Sequence, residues 1–286
     1  MLWNTNQQDF IITDLLHLYR LKASSHGCRC QSRTKEGDQM DDTISRQAAI
    51  DVHVSTKYMN VLVACEESQR VCKEFRRLGH RAFSCDLQLP SGKHPEWHIF
   101  GDVLPLLNGD CTFQTLDGKS HKTTGKWDLI IAHPPCTYLT NGGAVRMFRR
   151  EIKEFPPYGI FQMVNVERLK QGILARDFFM KFYNADCERI AIENPMPMNI
   201  YMLPKESQII QPYMFGDPYS KKTYLWLKGL PALQPTDVLD DYHPFINGGG
   251  GRLERQNYKG QKFAEGSTER SKTFDGVARA MAEQWG

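Results

Sequence analysis

The sequence lacks long hydrophobic runs, a recognisable export signal and a large excess of either charge. No segment is apolar over the roughly 20 residues that a membrane-spanning helix requires. We therefore expect a cytoplasmic protein without a membrane partner. The net charge is only +3 over 286 residues, so nucleic-acid binding is permitted but would depend on a local basic surface.

Close cysteine pairs are almost absent as well. The eight cysteines are scattered, and only Cys28 and Cys30 stand near each other, close to His26. Because no second pair follows at a spacing usual for zinc, we predict no metal site. Scattered thiols in a chain without an export signal are expected to be reduced.

The length is sufficient for one sizeable core with an appendage. Residues 1–56 are predicted to be an N-terminal extension, partly disordered, with short helices at 10–19 and 45–51 and a polar linker at 22–42. Residues 57–286 are predicted to form the main domain. Within it, residues 231–270 are rich in glycine, proline and charge and leave no room for a large independent domain.

The main domain opens with a β-α-β pattern. Residues 59–65 and 82–86 are predicted strands, and residues 66–78 are a predicted helix with Val71, Phe75 and Leu78 on its inner stripe. The second strand ends at Asp86, about 20 residues after the first, where nucleotide-binding folds place the carboxylate that takes ribose hydroxyls. The glycine-rich phosphate loop is missing, so an adenosyl group without a phosphate fits better than a dinucleotide.

The most informative stretch is residues 128–140. Residues 129–132 are predicted to be a buried parallel strand, which Pro134 and Pro135 end because neither can continue a ladder. Cys136 then stands at the carboxyl end of the strand, where open α/β sheets bind their ligands. This position makes Cys136 a candidate nucleophile, and the alternative is a buried structural cysteine.

Other predicted strand ends also carry polar groups. Residues 99–103 include Asp102, and the strand at 189–193 ends in Glu193-Asn194-Pro195 after a helix at 164–183 that turns its phenylalanines toward the core. Residues 108–126 are predicted to be a polar loop. Residues 141–153 are predicted to be a glycine-hinged basic loop that closes over an anionic substrate, or else an ordinary solvated loop.

The carboxyl-terminal part contains weaker signals. A short strand is predicted at 207–210, and residues 215–227 are predicted to form a turn that leads into another strand. The last helix is predicted at 273–285, capped by Thr273 or Asp275, with Val277, Ala280 and Met281 facing inward.

The order of these strand-end groups resembles that of the cytosine-5 DNA methyltransferase family, over roughly residues 59–286. Pro135-Cys136 is similar to the family's Pro-Cys motif, whose cysteine attacks carbon 6 of cytosine. Glu193-Asn194 is similar to the Glu-Asn motif, whose glutamate grips that base. The resemblance implies an α/β, Rossmann-like methyltransferase fold, with a mostly parallel sheet, helices on both faces and a very small target-recognition insertion. Chains of this short type occur in phages, so a bacterial or phage-infected cell is implied.

The resemblance also implies a cofactor and a substrate. The cofactor is S-adenosylmethionine, and the substrate is cytosine in DNA, flipped from a duplex or in a single strand. The residues implied to contact the cofactor are Glu67, Ser68, Asp86, Asp102, Pro134, Asp275 and Val277. The residues implied to contact nucleic acid are Asn141, Arg146, Arg149, Arg150 and Lys222.

The chain departs from the family pattern at three places. The family's Phe-x-Gly-x-Gly-Gly loop is replaced by Ala64-Cys-Glu-Glu-Ser68, and its basic motif carries Lys221 and Thr223 instead of arginines. The recognition domain shrinks to residues 231–270, which implies short or relaxed sequence readout. We expect Lys221 or Arg146 to lower the pKa of Cys136, and burial to keep Glu193 partly protonated.

Three other functions remain open from the sequence. His133-Pro-Pro-Cys136 is also similar to the Pro-Pro motif of amino-methyltransferases, which need no cysteine. The altered glycine loop would suit a catalytically inactive member that binds DNA or a protein. The small recognition segment would allow an enzyme that modifies free nucleotides.

Overall fold

The computed structural model describes residues 58–156, 159–244 and 270–286. The predictions for residues 1–56, including Cys28 and Cys30, lie outside the described residues, as does most of the 231–270 segment. Of Arg149 and Arg150 only the backbone is described.

A seven-stranded sheet organises the described residues, in the order β3-β2-β1-β6-β9-β12-β10. The first five strands are parallel, β12 is antiparallel to β9, and β10 is antiparallel to β12. The predicted α/β class with a mostly parallel sheet is confirmed. The strands are β1 (Asn60–Ala64), β2 (Arg81–Asp86), β3 (His98–Phe100), β6 (Leu129–Ala132), β9 (Ile190–Asn194), β10 (Gln208–Ile210) and β12 (Thr223–Lys228).

The central strands are apolar on both faces because both faces are covered. Along β1, Leu62 and Ala64 point into one hydrophobic core, whereas Val61 and Val63 point into the other. Strand β6 pairs with β1 from Val61↔Leu129 to Ala64↔Ala132, and all four of its residues are buried. This double burial explains why these strands were recognisable as continuous apolar runs.

Three helices cover the sheet: α1 (Arg70–Arg77), α2 (Val166–Tyr183) and α3 (Asp275–Trp285). Helices α1 and α3 share one core with Val61 and Val63. Helix α2 packs on the opposite face, where Phe179 meets Trp226 of β12 edge-on at 5.0 Å. Helices therefore lie on both faces of the sheet, as predicted.

Two helix starts differ from the prediction. Helix α1 begins at Arg70 rather than at residue 66, because Gln69 is left-handed (φ 59°) and the preceding residues form a loop. Leu78, predicted to face inward, is 38% exposed. Helix α3 begins at Asp275 without a side-chain cap from Thr273 or Asp275. Its amide at Gly276 donates instead to the carboxylate of Asp217, at 2.9 Å.

Two predicted loops are hairpins. Residues 108–126 contain β4 (Cys111–Gln114) and β5 (Ser120–Thr123), joined through an Asp117-Gly118 turn, a dipeptide that is typical of hairpins. Phe113 of this hairpin is buried. The basic stretch contains β7 (Phe148–Phe155), paired with β8 (Gly159–Val164). A further pair joins β11 (Tyr219–Ser220) and β13 (His243–Pro244).

The strand order reverses between β1 and β6. From β1 the chain proceeds to β2 and β3 on one side, and β6 is followed by β9 on the other. In open α/β sheets a crevice forms at such a reversal, outside the carboxyl ends of the strands. Among the described residues, no helix is both long and apolar enough to cross a membrane.

Candidate active site

A cavity of about 540 Å³ lies at the strand-order reversal. Its volume is in the range of small-molecule sites. The wall combines strand-end residues from β1, β2 and β6 with an apolar side formed by Leu87, Val103 and Phe178. The lining residues predicted from sequence are Glu67, Ser68, Asp86, Asp102, Pro135 and Cys136.

Two carboxylates follow β2 and β3 into this wall. Asp86 accepts a hydrogen bond from the amide of Gln88 at 2.9 Å, and Asp102 accepts one from the amide of Leu104 at 3.0 Å. Each carboxylate is therefore oriented by the backbone two residues further along the chain. Such oriented carboxylates are suited to accept hydrogen bonds from ligand hydroxyls or amines.

The loop after β1 replaces a glycine-rich turn by a buried acid. Cys65 adopts a left-handed conformation (φ 58°), and Glu66 is only 3% exposed. Its carboxylate accepts hydrogen bonds from the amides of Val71 at 2.7 Å and Cys72 at 3.2 Å, at the start of α1. These amides would otherwise lack partners. Burial raises the pKa of Glu66 against the opposing effects of the His133 charge and these hydrogen bonds.

The Pro-Pro turn places Cys136 in the cavity wall. The carbonyl of Pro134 accepts a hydrogen bond from the Asn194 side chain at 2.9 Å, which ties the turn to the end of β9. The carbonyl of Cys136 accepts from the amides of Leu139 at 3.0 Å and Thr140 at 2.9 Å. Cys136 is partly exposed and lines the cavity, so it is not a sealed structural cysteine.

Arg168 of α2 contacts the residues that follow Cys136 in the same turn. Its guanidinium donates to the carbonyl of Thr137 at 2.9 Å and lies 5.2 Å from the ring centre of Tyr138. Gly143 permits this approach, because a Cβ there would lie 2.4 Å from the Arg168 Nη2 atom. The predicted glycine hinge is thus part of a short 3-10 helix, Asn141–Arg146, packed against a buried arginine.

Glu193 lies beside His133. Strand β9 pairs with β6 from Ile130↔Ile190 to Ala132↔Ile192, which brings the residues after Ala132 and Ile192 next to each other. His133 Nδ1 is 3.2 Å from Glu193 Oε2, and the two side chains are only 8% and 13% exposed. Because the partner is a carboxylate, Nδ1 carries the hydrogen and donates it.

The ionisation of Glu193 differs from the prediction. Burial acts to raise the pKa of Glu193, but the hydrogen bond from His133 and the charges of Lys221 and His133 outweigh it, so the pKa lies below its ordinary value. The expectation that burial keeps this carboxyl partly protonated is therefore wrong. An ionised carboxylate stands beside the thiol.

Burial, followed by the Glu193 charge, raises the pKa of the Cys136 thiol, whereas Lys221 acts in the opposite direction. Lys221 is held in place by a hydrogen bond to the Arg270 carbonyl at 2.7 Å and lies 5.7 Å from the ring centre of Phe274. The predicted direction of the Lys221 effect is confirmed, but it does not bring the pKa of the thiol below its ordinary value. Arg146, the other proposed cation, is exposed.

Three residues predicted to contact the cofactor lie outside the cavity wall. Pro134 is buried behind the turn, and Val277 is packed in the core under α1 and α3. Asp275 is 72% exposed and pairs with Arg70 at 3.4 Å. Their predicted contacts do not fit this cavity, because α3 presents its inner face to the sheet rather than to the crevice.

Of the residues predicted to contact nucleic acid, those whose side chains are described do not line the cavity. Asn141, Arg146 and Lys222 are exposed. Arg149 and Arg150 belong to β7, and their side chains are outside the described part of the structure. Their role in binding nucleic acid stays a prediction.

Several residues of the wall were not predicted from the sequence. Glu66 and His133 occur in the sequence predictions only as parts of motifs, and Phe178 only as a core residue, whereas all three line the cavity. Residues 271–273 also line the cavity. The one usable signal was that His133 and Glu193 both follow buried strands, so that neighbouring strands would bring them together. Within the described ranges, no group of three or more His, Cys, Asp or Glu residues has the arrangement of a metal site.

Comparison with known proteins does not assign the chain to a family. No protein-family model matches the chain, and no curated protein matches it, so a functional interpretation rests on the site itself.

Proposed function

We propose that this chain is an S-adenosylmethionine-dependent methyltransferase with a Rossmann-like fold, which methylates carbon 5 of cytosine in DNA through a covalent adduct with Cys136. The observation that carries the proposal is the content of one cavity. A thiol that is not sealed in the core shares this cavity with two strand-end carboxylates, and an ionised glutamate stands next to the thiol.

The described residues fit the cofactor. Asp86 ends β2 where such folds hold the ribose of a nucleotide, and Leu87, Val103 and Phe178 offer apolar surface for a base. Glu66 already occupies the amides at the start of α1, so a ligand with a phosphate in that position is not accommodated. S-adenosylmethionine has an adenosyl group without a phosphate, and when bound it supplies an electrophilic methyl group.

The chemistry requires an activated base. Carbon 5 of cytosine is a poor nucleophile until a thiolate adds to carbon 6, which breaks the conjugation of the ring. Glu193 is the adjacent carboxylate that accepts the Cys136 proton. It then gives this proton to the ring nitrogen as the sulfur–carbon bond forms. Once carbon 5 is methylated, it loses its proton to water and the sulfur leaves as a thiolate. The ring nitrogen then returns its proton through Glu193 to the sulfur, which restores the thiol.

DNA is the proposed substrate, because the attack requires a base that enters a cavity. In a duplex the cytosine must leave the stack, whereas in a single strand it is already accessible. Exposed Arg146 and Lys222 are available for phosphate contacts, and Asn141 for polar ones.

The test is to incubate the full chain with labelled S-adenosylmethionine and DNA, and then to identify the modified nucleosides by mass spectrometry. We expect label in 5-methylcytosine for the wild type and none for Cys136→Ala. Product from Cys136→Ala at the wild-type rate would end the proposal. A second reaction offers free deoxycytidine instead of DNA, and there the variant of exposed Lys222, Lys222→Gln, is the control for protein quality. Product from free deoxycytidine but not from DNA would show that the free nucleotide is the substrate.

Two alternatives give different results in the same experiment. Label in an exocyclic amine, retained by Cys136→Ser, would identify an amino-methyltransferase. If neither S-adenosylmethionine nor S-adenosylhomocysteine raises the melting temperature, the chain is a binding member of the fold, since a ligand selective for the folded state must stabilise it.

A further inference from the structure

His133 is a buried titratable residue in the cavity wall to which the proposed chemistry gives no role. It follows β6 directly, and its amide donates to the carbonyl of Ala64 at 2.9 Å, which fixes its backbone between β1 and β6. Its Nδ1 atom is 3.2 Å from Glu193 Oε2. We infer that His133 is a positioning residue that orients the Glu193 carboxylate and keeps it available as the proton acceptor for Cys136.

The geometry gives the imidazole this role rather than a purely structural one. Glu193 Oε2 is engaged by His133, so the other oxygen of the carboxylate is the one that the proposed chemistry uses as the proton acceptor. Both side chains are almost fully withdrawn from solvent, so water does not substitute for the imidazole as a partner of the carboxylate. In such an environment a charged or hydrogen-bonded partner determines which protonation state is favoured.

Other ionisable groups surround the pair. Glu66 comes from the loop after β1, Cys136 from the turn after His133, and Lys221 from the segment before β12. Lys221 acts on Glu193 in the same direction as His133, but through charge alone. The hydrogen bond from His133 is the larger of the effects that keep Glu193 ionised.

A consequence follows for the pH dependence. Without the His133 hydrogen bond, burial is less opposed and the pKa of Glu193 rises. The carboxylate would then be protonated at a higher pH than in the wild type and could not accept the thiol proton. The acidic limb of the rate profile therefore moves upward in pH, and the loss of rate is large on the acidic side and small on the alkaline side.

The experiment compares His133→Leu with His133→Asn. This inference rests on the proposed function, and its readout is single-turnover methylation of DNA from pH 5.5 to 9, with cofactor affinity measured separately. We expect the acidic limb of His133→Leu to shift to higher pH, with a rate about 10²-fold lower at the acidic end and nearly restored at pH 9. Asparagine can still donate from a position close to Nδ1, so His133→Asn should retain most of the wild-type profile.

The exchange of the cytosine carbon 5 hydrogen with solvent, without cofactor, provides a second readout, because addition at carbon 6 activates this hydrogen. We expect His133→Leu to exchange this hydrogen more slowly than the wild type at acidic pH and nearly as fast at pH 9. His121→Asn is the matched control, since His121 belongs to the β4–β5 hairpin and contacts Thr115 at 3.0 Å outside the cavity wall. Melting temperatures of all variants separate unfolding from loss of rate.

The outcomes are distinguishable. If the wild type forms no 5-methylcytosine, the proposed function fails, whatever the variants do. If the wild type is active and His133→Leu loses rate equally at every pH, or loses none, His133 has no such positioning role and the proposed function is unaffected.

Discussion

The candidate site, that is the cavity together with the residues that support its wall, has two halves that are built by different means. In the binding half, at the ends of β2 and β3, Asp86 and Asp102 are each oriented by a backbone amide two residues away. In the reacting half, at the ends of β6 and β9, His133 meets Glu193 and Pro134 meets Asn194, each across 60 residues of chain. The binding half is thus assembled locally, whereas the reacting half exists only after two strands have paired.

This difference has a functional meaning. A carboxylate held by its own backbone can contact a ligand without depending on the other half. In the other half, in contrast, burial and the charge of Glu193 raise the pKa of the Cys136 thiol. Glu193 itself is kept ionised by His133 and Lys221, which belong to other segments of the chain. Substitutions in the binding half should therefore change ligand affinity, and substitutions in the reacting half should change the rate of the chemical step.

The largest effect is expected for Glu193→Gln. Glutamine is nearly isosteric but cannot accept the thiol proton, so the single-turnover rate should fall about 10²- to 10³-fold while cofactor affinity stays unchanged. Glu188→Gln, at the exposed amino-terminal side of the same strand, is the control. A loss of cofactor affinity without a loss of rate would contradict the division into halves.

A smaller effect is expected for Asp86→Asn in the binding half. Replacing a charged acceptor by a neutral one should weaken S-adenosylhomocysteine binding about tenfold, which calorimetry can measure. The single-turnover rate at saturating cofactor should be preserved. Asp186→Asn, which removes an exposed partner of Lys126, should leave binding unchanged. Equal affinity in Asp86→Asn and the wild type would remove Asp86 from the site.

The coupling inside the reacting half can be measured without any ligand. Lys221 lowers and Glu193 raises the pKa of Cys136, so Lys221→Gln should slow alkylation of this thiol by iodoacetamide at pH 8, and Glu193→Gln should accelerate it. Each change should be up to about tenfold, since thiolate is the reactive form and one pKa unit changes its fraction tenfold. Lys222→Gln is the neighbouring control. Changes of the same sign in both variants would disprove the coupling.

The smallest effect concerns stability and Glu66. Its pKa in the folded chain is raised above the ordinary value of 4.5, so its contribution to stability is fully present below that pH and is lost as pH rises through the folded-state pKa. Between pH 5 and 8 the wild type should therefore lose unfolding free energy relative to Glu66→Gln. Urea unfolding of the wild type and of Glu66→Gln at pH 5 and pH 8 tests this prediction. An unfolding free energy of the wild type that rises relative to that of Glu66→Gln between pH 5 and pH 8 would refute it.

The same division explains what could be predicted from the sequence. Buried strands and the acids or thiol at their ends were predictable, because an apolar run and the residue that follows it are neighbours in the chain. The ionisation of Glu193 was not, since it depends on His133 and Lys221, which only the sheet brings close. The helix predicted from residue 66 begins at Arg70, because the carboxyl group of Glu66 precedes the helix and accepts hydrogen bonds from its first free amides.

The position of Glu66 also has a consequence for competition in a cell. ATP and NAD carry adenosine too, and are abundant compared with most ligands of that kind. Their phosphates would find the amides at the start of α1 already occupied by the Glu66 carboxyl group, where related nucleotide folds offer bare amides. Rejection is therefore built into the loop after β1 rather than into the surface that recognises adenine. Specificity for a phosphate-free adenosyl ligand would thus arise because the usual phosphate site is already filled by a side chain of the protein.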